Sequence, residues 1–459
     1  MIKKYSNYFS HESLEESFNI KVRKVKSKGI DKKSAESFKK NRKEELLNVE
    51  KKIEAGSFKF SPYLELLKIK KRNSLPRLLS IPTIRDRIVH DKMKDCLHQE
   101  FKDFVNKELP NSYIRKIKKY IEKNEGEKIF YLKTDITKFY DEINREILKT
   151  ALERVIDDKV LINLICNAIE TPTVPSNYRK GDLKKYYAEK GVPQGLAISN
   201  ILAQIYLKEF DNYFKKRLKS SLYLRYVDDI FVLSMSNSKP LLKSIKKKLS
   251  EIDLQTNDDK TFFGDLSSGV EFLGYLIKNE EISISKSTIE GQINKIAAKI
   301  TWFKKGMANR KLRPALLVNN DNGFKRLFLK EVNEIITGSK SAKKNYGWLF
   351  WYLEINDLSV FYKIDLIIES MFRSLNIFKG KVPKRLKKTV KAYFEIKYNN
   401  GGDYINDYNK FSTISKKRKM LVDTSQIAPN IKYSDSEINK AYEQYRDSNL
   451  KILEKDIIY

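Results

Sequence analysis

The chain has 459 residues, with 91 Lys and Arg against 59 Asp and Glu, a formal charge of +32, and 41% hydrophobic residues. That apolar fraction excludes a disordered polycation, and two Cys with three His exclude a disulfide scaffold or a zinc module. No run of about 18 uncharged apolar residues is present to span a membrane, and Met1 to Ser6 lacks the apolar core of a signal peptide, so the expectation is a soluble intracellular protein with no membrane partner.

Taken in chain order, residues 1–74 read as a basic helical extension, with Leu46, Leu47, Val49 and Ile53 at helical spacing among lysines. Residues 75–127 begin with Leu75-Pro76 and Ile81-Pro82 and continue in a long amphipathic helix from about Arg87 to Phe104. Over 128–277 short apolar, β-branched and aromatic runs alternate with helical stretches, the pattern of an α+β domain. From about Ile289 the chain reads as helical again, with a large apolar element from Tyr346 to Phe378. Asn399-Asn400-Gly401-Gly402 is the clearest breaker in the C-terminal half, and 399–459 read as a basic C-terminal extension.

The positive charge is clustered at Lys21 to Lys52, Lys379 to Lys397 and Lys416-Lys417-Arg418-Lys419, with Phe58, Phe60, Tyr393 and Phe394 among or beside the clusters. A folded chain with this surplus repels itself unless a polyanion is a regular partner, and basic tracts with aromatic neighbours suit nucleic acid. Each run taken alone also reads as a solvated helix face.

Three acids stand where an acid is costly. Ile129 to Ile136 is a strand-like run that reaches Asp135, and Ser221 to Ser234 is two apolar runs with Asp228-Asp229 between them, as a β-hairpin would present acids at its tip. A divalent cation relieves both the burial and the mutual repulsion, and hard oxygen ligands favour Mg²⁺, with Mn²⁺ as the substitute. A hairpin tip beside a strand end suits two ions about 3.5–4 Å apart, the arrangement that assists both attacking and leaving oxygens in phosphoryl transfer.

With these acids in view, the chain resembles a reverse transcriptase of the group II intron and retron-like lineage. Thr134 to Ile143, Gly191-Val192-Pro193-Gln194-Gly195, Tyr226-Val227-Asp228-Asp229, Leu254 to Thr261 and Phe272-Leu273-Gly274-Tyr275 resemble five successive palm motifs, and Arg77 to Val89 resembles the fingers segment. The resemblance implies a right-hand polymerase fold: fingers over 75–127, palm over 128–284, and a helical thumb or thumb-like domain over 285–398. It implies a nucleotidyltransferase that makes DNA from dNTPs on an RNA template with two Mg²⁺ ions. Asp135, Asp228 and Asp229, with the carbonyl of Ile136, would hold the ions, and Lys260 would serve the pyrophosphate. Tyr140 would be the steric gate with Phe139 buried, and Gln194 would lie near the incoming base pair. Arg77 and Arg85 are the candidates for the triphosphate, with Arg87 either a third contact or a partner of Asp91. Phe272, Leu273, Gly274 and Tyr275 would form the primer grip.

The stretch from Gly401 to Leu421 resembles the C-terminal extension of defence-associated, Abi-like bacterial enzymes. That implies antiphage defence with a neighbouring noncoding RNA. Untemplated or protein-primed DNA synthesis, a non-catalytic RNA-binding scaffold, and a homo-oligomeric state stay open at this level. Trp302, Trp348 and Trp351 read as helix-packing residues.

Overall fold

The computed structural model describes residues 5–69, 76–105, 108–237, 239–342, 344–399 and 401–454. Leu75, at the expected fingers boundary, and Asn400 of the expected breaker lie outside them. The chain folds as two compact units, 1–108 with 130–264, and 109–129 with 265–459.

Among the described residues the first unit has seven strands: β1 (Tyr63–Lys68), β2 (Arg77–Ile81), β3 (Phe130–Ile136), β4 (Thr173–Val174), β5 (Leu222–Tyr226), β6 (Asp229–Ser234) and β7 (Thr256–Asp265), the last ending at the unit boundary. They form a small sheet in the order β2-β1-β4 and a four-stranded sheet in the order β5-β6-β3-β7. Strand β6 is central, and Ile230, Phe231, Val232 and Leu233 are all fully buried, which is why this strand reads as an unbroken apolar run. Strand β7 is an edge, and there Phe262 and Phe263 stay exposed.

Helices Arg145–Glu153, Lys159–Glu170 and Ser199–Tyr206 bury Leu148, Leu152, Leu161, Ile165 and Leu202 in one core with strand residues Leu132, Ile136 and Val232. Asn144 and Asp158 start the first two by accepting two backbone N–H bonds each. The N-terminal helices His11–Ser17 and Arg42–Glu54 place Leu14, Leu46 and Val49 in that same core. Residues 5–69 therefore contribute side chains to the core of this unit. The long helix expected from Arg87 to Phe104 runs from Ile84 to Glu100, because the Thr83 hydroxyl accepts from the Asp86 N–H and caps it earlier.

The second unit holds β8 (Val270–Phe272), β9 (Tyr275–Lys278) and β10 (Glu281–Ile284) as an antiparallel meander. Helices Lys286–Ala308, Asp321–Thr337, Ser359–Arg373 and Thr389–Tyr398 follow, and Phe303 stacks on Phe328 at 4.1 Å between the first two. Helices Ile414–Asp423 and Asp435–Glu454 close a smaller core around Tyr408, Leu421 and Tyr442.

Three segments group or break differently from the sequence reading. Helix Pro110–Lys123, read as part of the fingers, belongs to this unit, where it buries Tyr113, Ile114 and Ile117 while Asn111 and Arg115 bond the Phe350 carbonyl and Glu354. Residues 265–284, read as palm, belong to it too. The apolar element expected from Tyr346 to Phe378 is broken: Gly347 at φ 115° turns the chain into a short turn, Trp348–Trp351, and the helix starts only at Ser359. Trp348 is buried, and Trp302 packs between the Lys299 ammonium and the Phe324 ring.

Candidate active site

Strand pairing gathers the three acids. Asp135 on β3 lies directly across from Asp229 on β6, and the Ile136 N–H donates to the Asp228 carbonyl at 3.1 Å. Tyr226 pairs with Asp229, so Val227-Asp228 is a two-residue hairpin loop. Val227 takes φ +57°, a conformation that L residues with a branched Cβ avoid. Arg225 holds it there: Nη1 donates to the Val227 carbonyl at 2.7 Å, while Nε and Nη2 grip both oxygens of Asp211 at 2.8 and 2.5 Å. The Tyr223 hydroxyl adds a bond to Asp211 at 2.7 Å. This clamp was not singled out from the sequence; its signal was a lone Arg inside an otherwise apolar strand.

The electrostatics are those of crowded carboxylates. Burial, then the nearby Asp135, raises the pKa of Asp228, and burial with Asp228 pushes Asp229 up to about 6. Lys260 on β7 reaches in and donates to Asp135 Oδ2 at 2.7 Å, with its side chain 60% exposed. Arg77 on β2 contributes favourable charge to Asp228. Among the described residues no group of three acid, His or Cys side chains closes into a ready coordination shell. The backbone register nevertheless brings the oxygen donors together, and a flexible lysine, not a packed residue, bonds the Asp135 carboxylate. That donor set fits hard divalent ions.

Tyr140 follows Asp135 on a short helix, Phe139–Glu142, with Phe139 buried and Tyr140 half-buried. Burial and the neighbouring Asp228 push the Tyr140 hydroxyl up to about 12. Its carbonyl accepts from Val192, and the Ile143 carbonyl accepts from Gly191, so the turn at 191–195 is stitched to the strand end that carries Asp135. At Gly191, φ +90°, a Cβ would lie 2.7 Å from the Asp141 carbonyl oxygen, so no other residue fits. The Gln194 carbonyl accepts from Ser80 on β2 at 2.7 Å, and its side-chain amide donates to Asp141 at 3.2 Å. Gln194, Tyr140 and Arg77 thus stand with the acids in one unit.

Three further candidates have partners inside the fold. Arg85 is committed elsewhere: it pairs with buried Asp86, donates to the Lys59 carbonyl and Ser61, and lies over the Phe58 ring. Its guanidinium is thus engaged within the fold. Arg87 donates to the Pro82 carbonyl, whereas Asp91 is bonded by Ser17, Lys21 and Lys94. Phe272, Leu273 and Tyr275 are buried side chains of the second unit; Leu273 and Gly274, both at positive φ, form the tight turn between β8 and β9, and the Tyr275 hydroxyl bonds Asn111 and the Trp351 carbonyl. Their side chains hold that hairpin, and the Gly274 carbonyl accepts from the Ser285 N–H at 2.8 Å.

Residues 69–277 match the family model described as reverse transcriptase (RNA-dependent DNA polymerase). Protein YkfC of Escherichia coli strain K12 is 25% identical over 252 residues, 45% of this chain and 64% of that protein. The group II intron-encoded protein LtrA of Lactococcus lactis subsp. cremoris is 21% identical over 347 residues, 58% of this chain and 56% of its own length. Among solved structures, a telomerase from Candida albicans in complex with a fragment of telomeric RNA aligns at 15% identity with a TM-score of 0.41, over 86% of this chain and 66% of that one. The chain spans less than two thirds of these relatives' lengths. Over residues 69–277 the chain is thus similar to reverse transcriptases, and its fold is α+β, with Asp135 and Asp229 on an antiparallel pair of strands. Among the described residues no helix is long and apolar enough to cross a membrane.

Proposed function

We propose that the chain is an RNA-directed DNA polymerase that joins dNTPs by two-metal phosphoryl transfer. The observation that carries the reading is the strand register that sets Asp135 opposite Asp229 and ties Asp228 to the end of β3, within the stretch similar to reverse transcriptases. Asp135, Asp228, Asp229 and the Ile136 carbonyl would hold the ions. Bound there, Mg²⁺ would lower the pKa of the primer 3′-hydroxyl and neutralise the triphosphate.

The protein's own residues position and discriminate. Tyr140, held by the Val192 bond and packed beside Phe139, sets a ring where a ribose 2′-hydroxyl would collide. Gln194 orients the nascent base pair, Arg77 neutralises phosphate, and Lys260 exchanges Asp135 for the pyrophosphate oxygens as the acid cluster fills with cations. A noncoding RNA template and a role in antiphage defence are supported by the likeness of Gly401 to Leu421 to defence-associated enzymes.

Primer extension on an RNA template with Mg²⁺ and dNTPs tests the activity. Wild type should extend the primer, Asp228→Asn should lose at least about 10³-fold in rate, and Tyr140→Ala should admit ribonucleotides. Wild-type protein that extends nothing, or Asp228→Asn with undiminished rate, refutes it. Product made without a primer and joined to the protein would replace it with protein-primed synthesis.

A further inference from the structure

Cations from separate stretches of the C-terminal half meet at one cavity of about 730 Å³ inside the second unit, within the roughly 300–1,000 Å³ of ordinary ligand sites. Its walls carry seven cations (Arg326, Lys330, Arg385, Lys387, Lys410, Lys416 and Lys419) against two carboxylates, Glu334 and Asp423. Glu334 is already satisfied by Tyr408 at 3.1 Å, Asn406 at 3.1 Å and Lys330 at 4.0 Å. Arg326, Arg385, Lys416 and Lys419 are exposed, and their side chains make no hydrogen bond or ion pair among the described residues. Leu329, Phe411 and Met420 line the same cavity with apolar surface.

This arrangement is built rather than incidental. The Asn333 amide clamps the segment that carries the central cations, donating to the Arg385 carbonyl at 2.9 Å and accepting from the Lys387 N–H at 2.8 Å. The Lys387 ammonium is tied to the Tyr404 carbonyl, and the Thr389 N–H to buried Asp365. Unpaired cations held on a fixed frame around an apolar floor lack one thing, an anion with a flat apolar body.

We propose that this cavity binds a terminal nucleotide of a nucleic-acid strand, with the base against Phe411, Leu329 and Met420 and its phosphate among Arg385, Lys416 and Lys419. A free nucleoside polyphosphate has the same chemistry, and the experiment separates the two sources. The site is independent of the palm acids.

Binding of the full-length protein is measured by fluorescence anisotropy at elevated salt, where non-specific contacts to this +32 chain are weakened. The probes are a short oligoribonucleotide with a 5′-phosphate, the same strand with a 5′-hydroxyl, and ATP as competitor. The 5′-phosphorylated strand should bind more tightly than the hydroxyl form, and Arg385→Ala/Lys419→Ala should weaken it about tenfold or more. Asp228→Asn should bind as wild type does, which keeps this result separate from the fate of the polymerase reading. ATP that displaces the strand at comparable concentration identifies a free nucleotide as the occupant, and ATP that needs large excess identifies the strand end. A terminal 4-thiouridine should cross-link wild-type protein within residues 411–420. Equal binding of the two strands together with an indifferent double variant, or cross-links confined outside 326–424, overturns the proposal.

Discussion

The palm hairpin and the C-terminal cavity carry opposite imbalances. At the hairpin, three carboxylates crowd together with Lys260 as the ammonium that reaches them, and the pKa values of Asp228 and Asp229 rise. In the cavity, seven cations face two carboxylates, one of them already bonded inside the fold. Below the hairpin tip charge is matched, where Arg225 grips Asp211 with both partners nearly buried. A folded chain tolerates an uncompensated cluster only at a cost in stability, so the excess at each place points to a ligand of the opposite sign.

Breaking a matched pair should do the most damage. Arg225→Met strands buried Asp211 and releases the Val227 carbonyl, and should cost about 3–5 kcal/mol of unfolding free energy, measured by denaturant titration. A loss below about 1 kcal/mol would show that the clamp is not what holds the hairpin. A smaller effect is expected at the unmatched cluster: Lys260→Ala should slow single-nucleotide incorporation about 10- to 100-fold and leave the midpoint of unfolding nearly unchanged. Loss of stability without loss of rate would make Lys260 a structural partner only.

The effect that is absent at neutral pH and emerges only in acid comes from a buried group with no surplus to resolve. His90 is stacked on Phe60 at 4.6 Å and bonds the Tyr63 hydroxyl, and burial lowers its pKa to about 3. Its folded pKa lies below the unfolded value of about 6.5, so the unfolded chain binds the extra proton between them. Stability should therefore fall as pH drops from about 6.5 toward 3, by up to about 1.4 kcal/mol per unit from this residue. His90→Phe should make that slope shallower, and an unchanged slope would assign it to other groups.

The palm was legible because its signals are local. An acid inside an apolar strand, a pair of acids between two such runs, and glycines flanking Pro193-Gln194 each keep their meaning within about ten residues, and strand register then joined them. The C-terminal cavity was legible only as separate basic runs, since Arg326, Arg385 and Lys419 come from three distant stretches that packing alone unites. The same reason hid the grouping of helix Pro110–Lys123 with residues 265–459. Arg85 shows the converse ambiguity: forked donors suit phosphate, and they suit a buried Asp86 equally well.

Manganese binding addresses the acid cluster most directly. Electron paramagnetic resonance of Mn²⁺ titrated into the protein with template, primer and dNTP should show two ions coupled at short range, lost in Asp135→Asn and in Asp228→Asn but kept in Arg385→Ala/Lys419→Ala. Coupled Mn²⁺ that persists when either acid is neutralised would contradict the account.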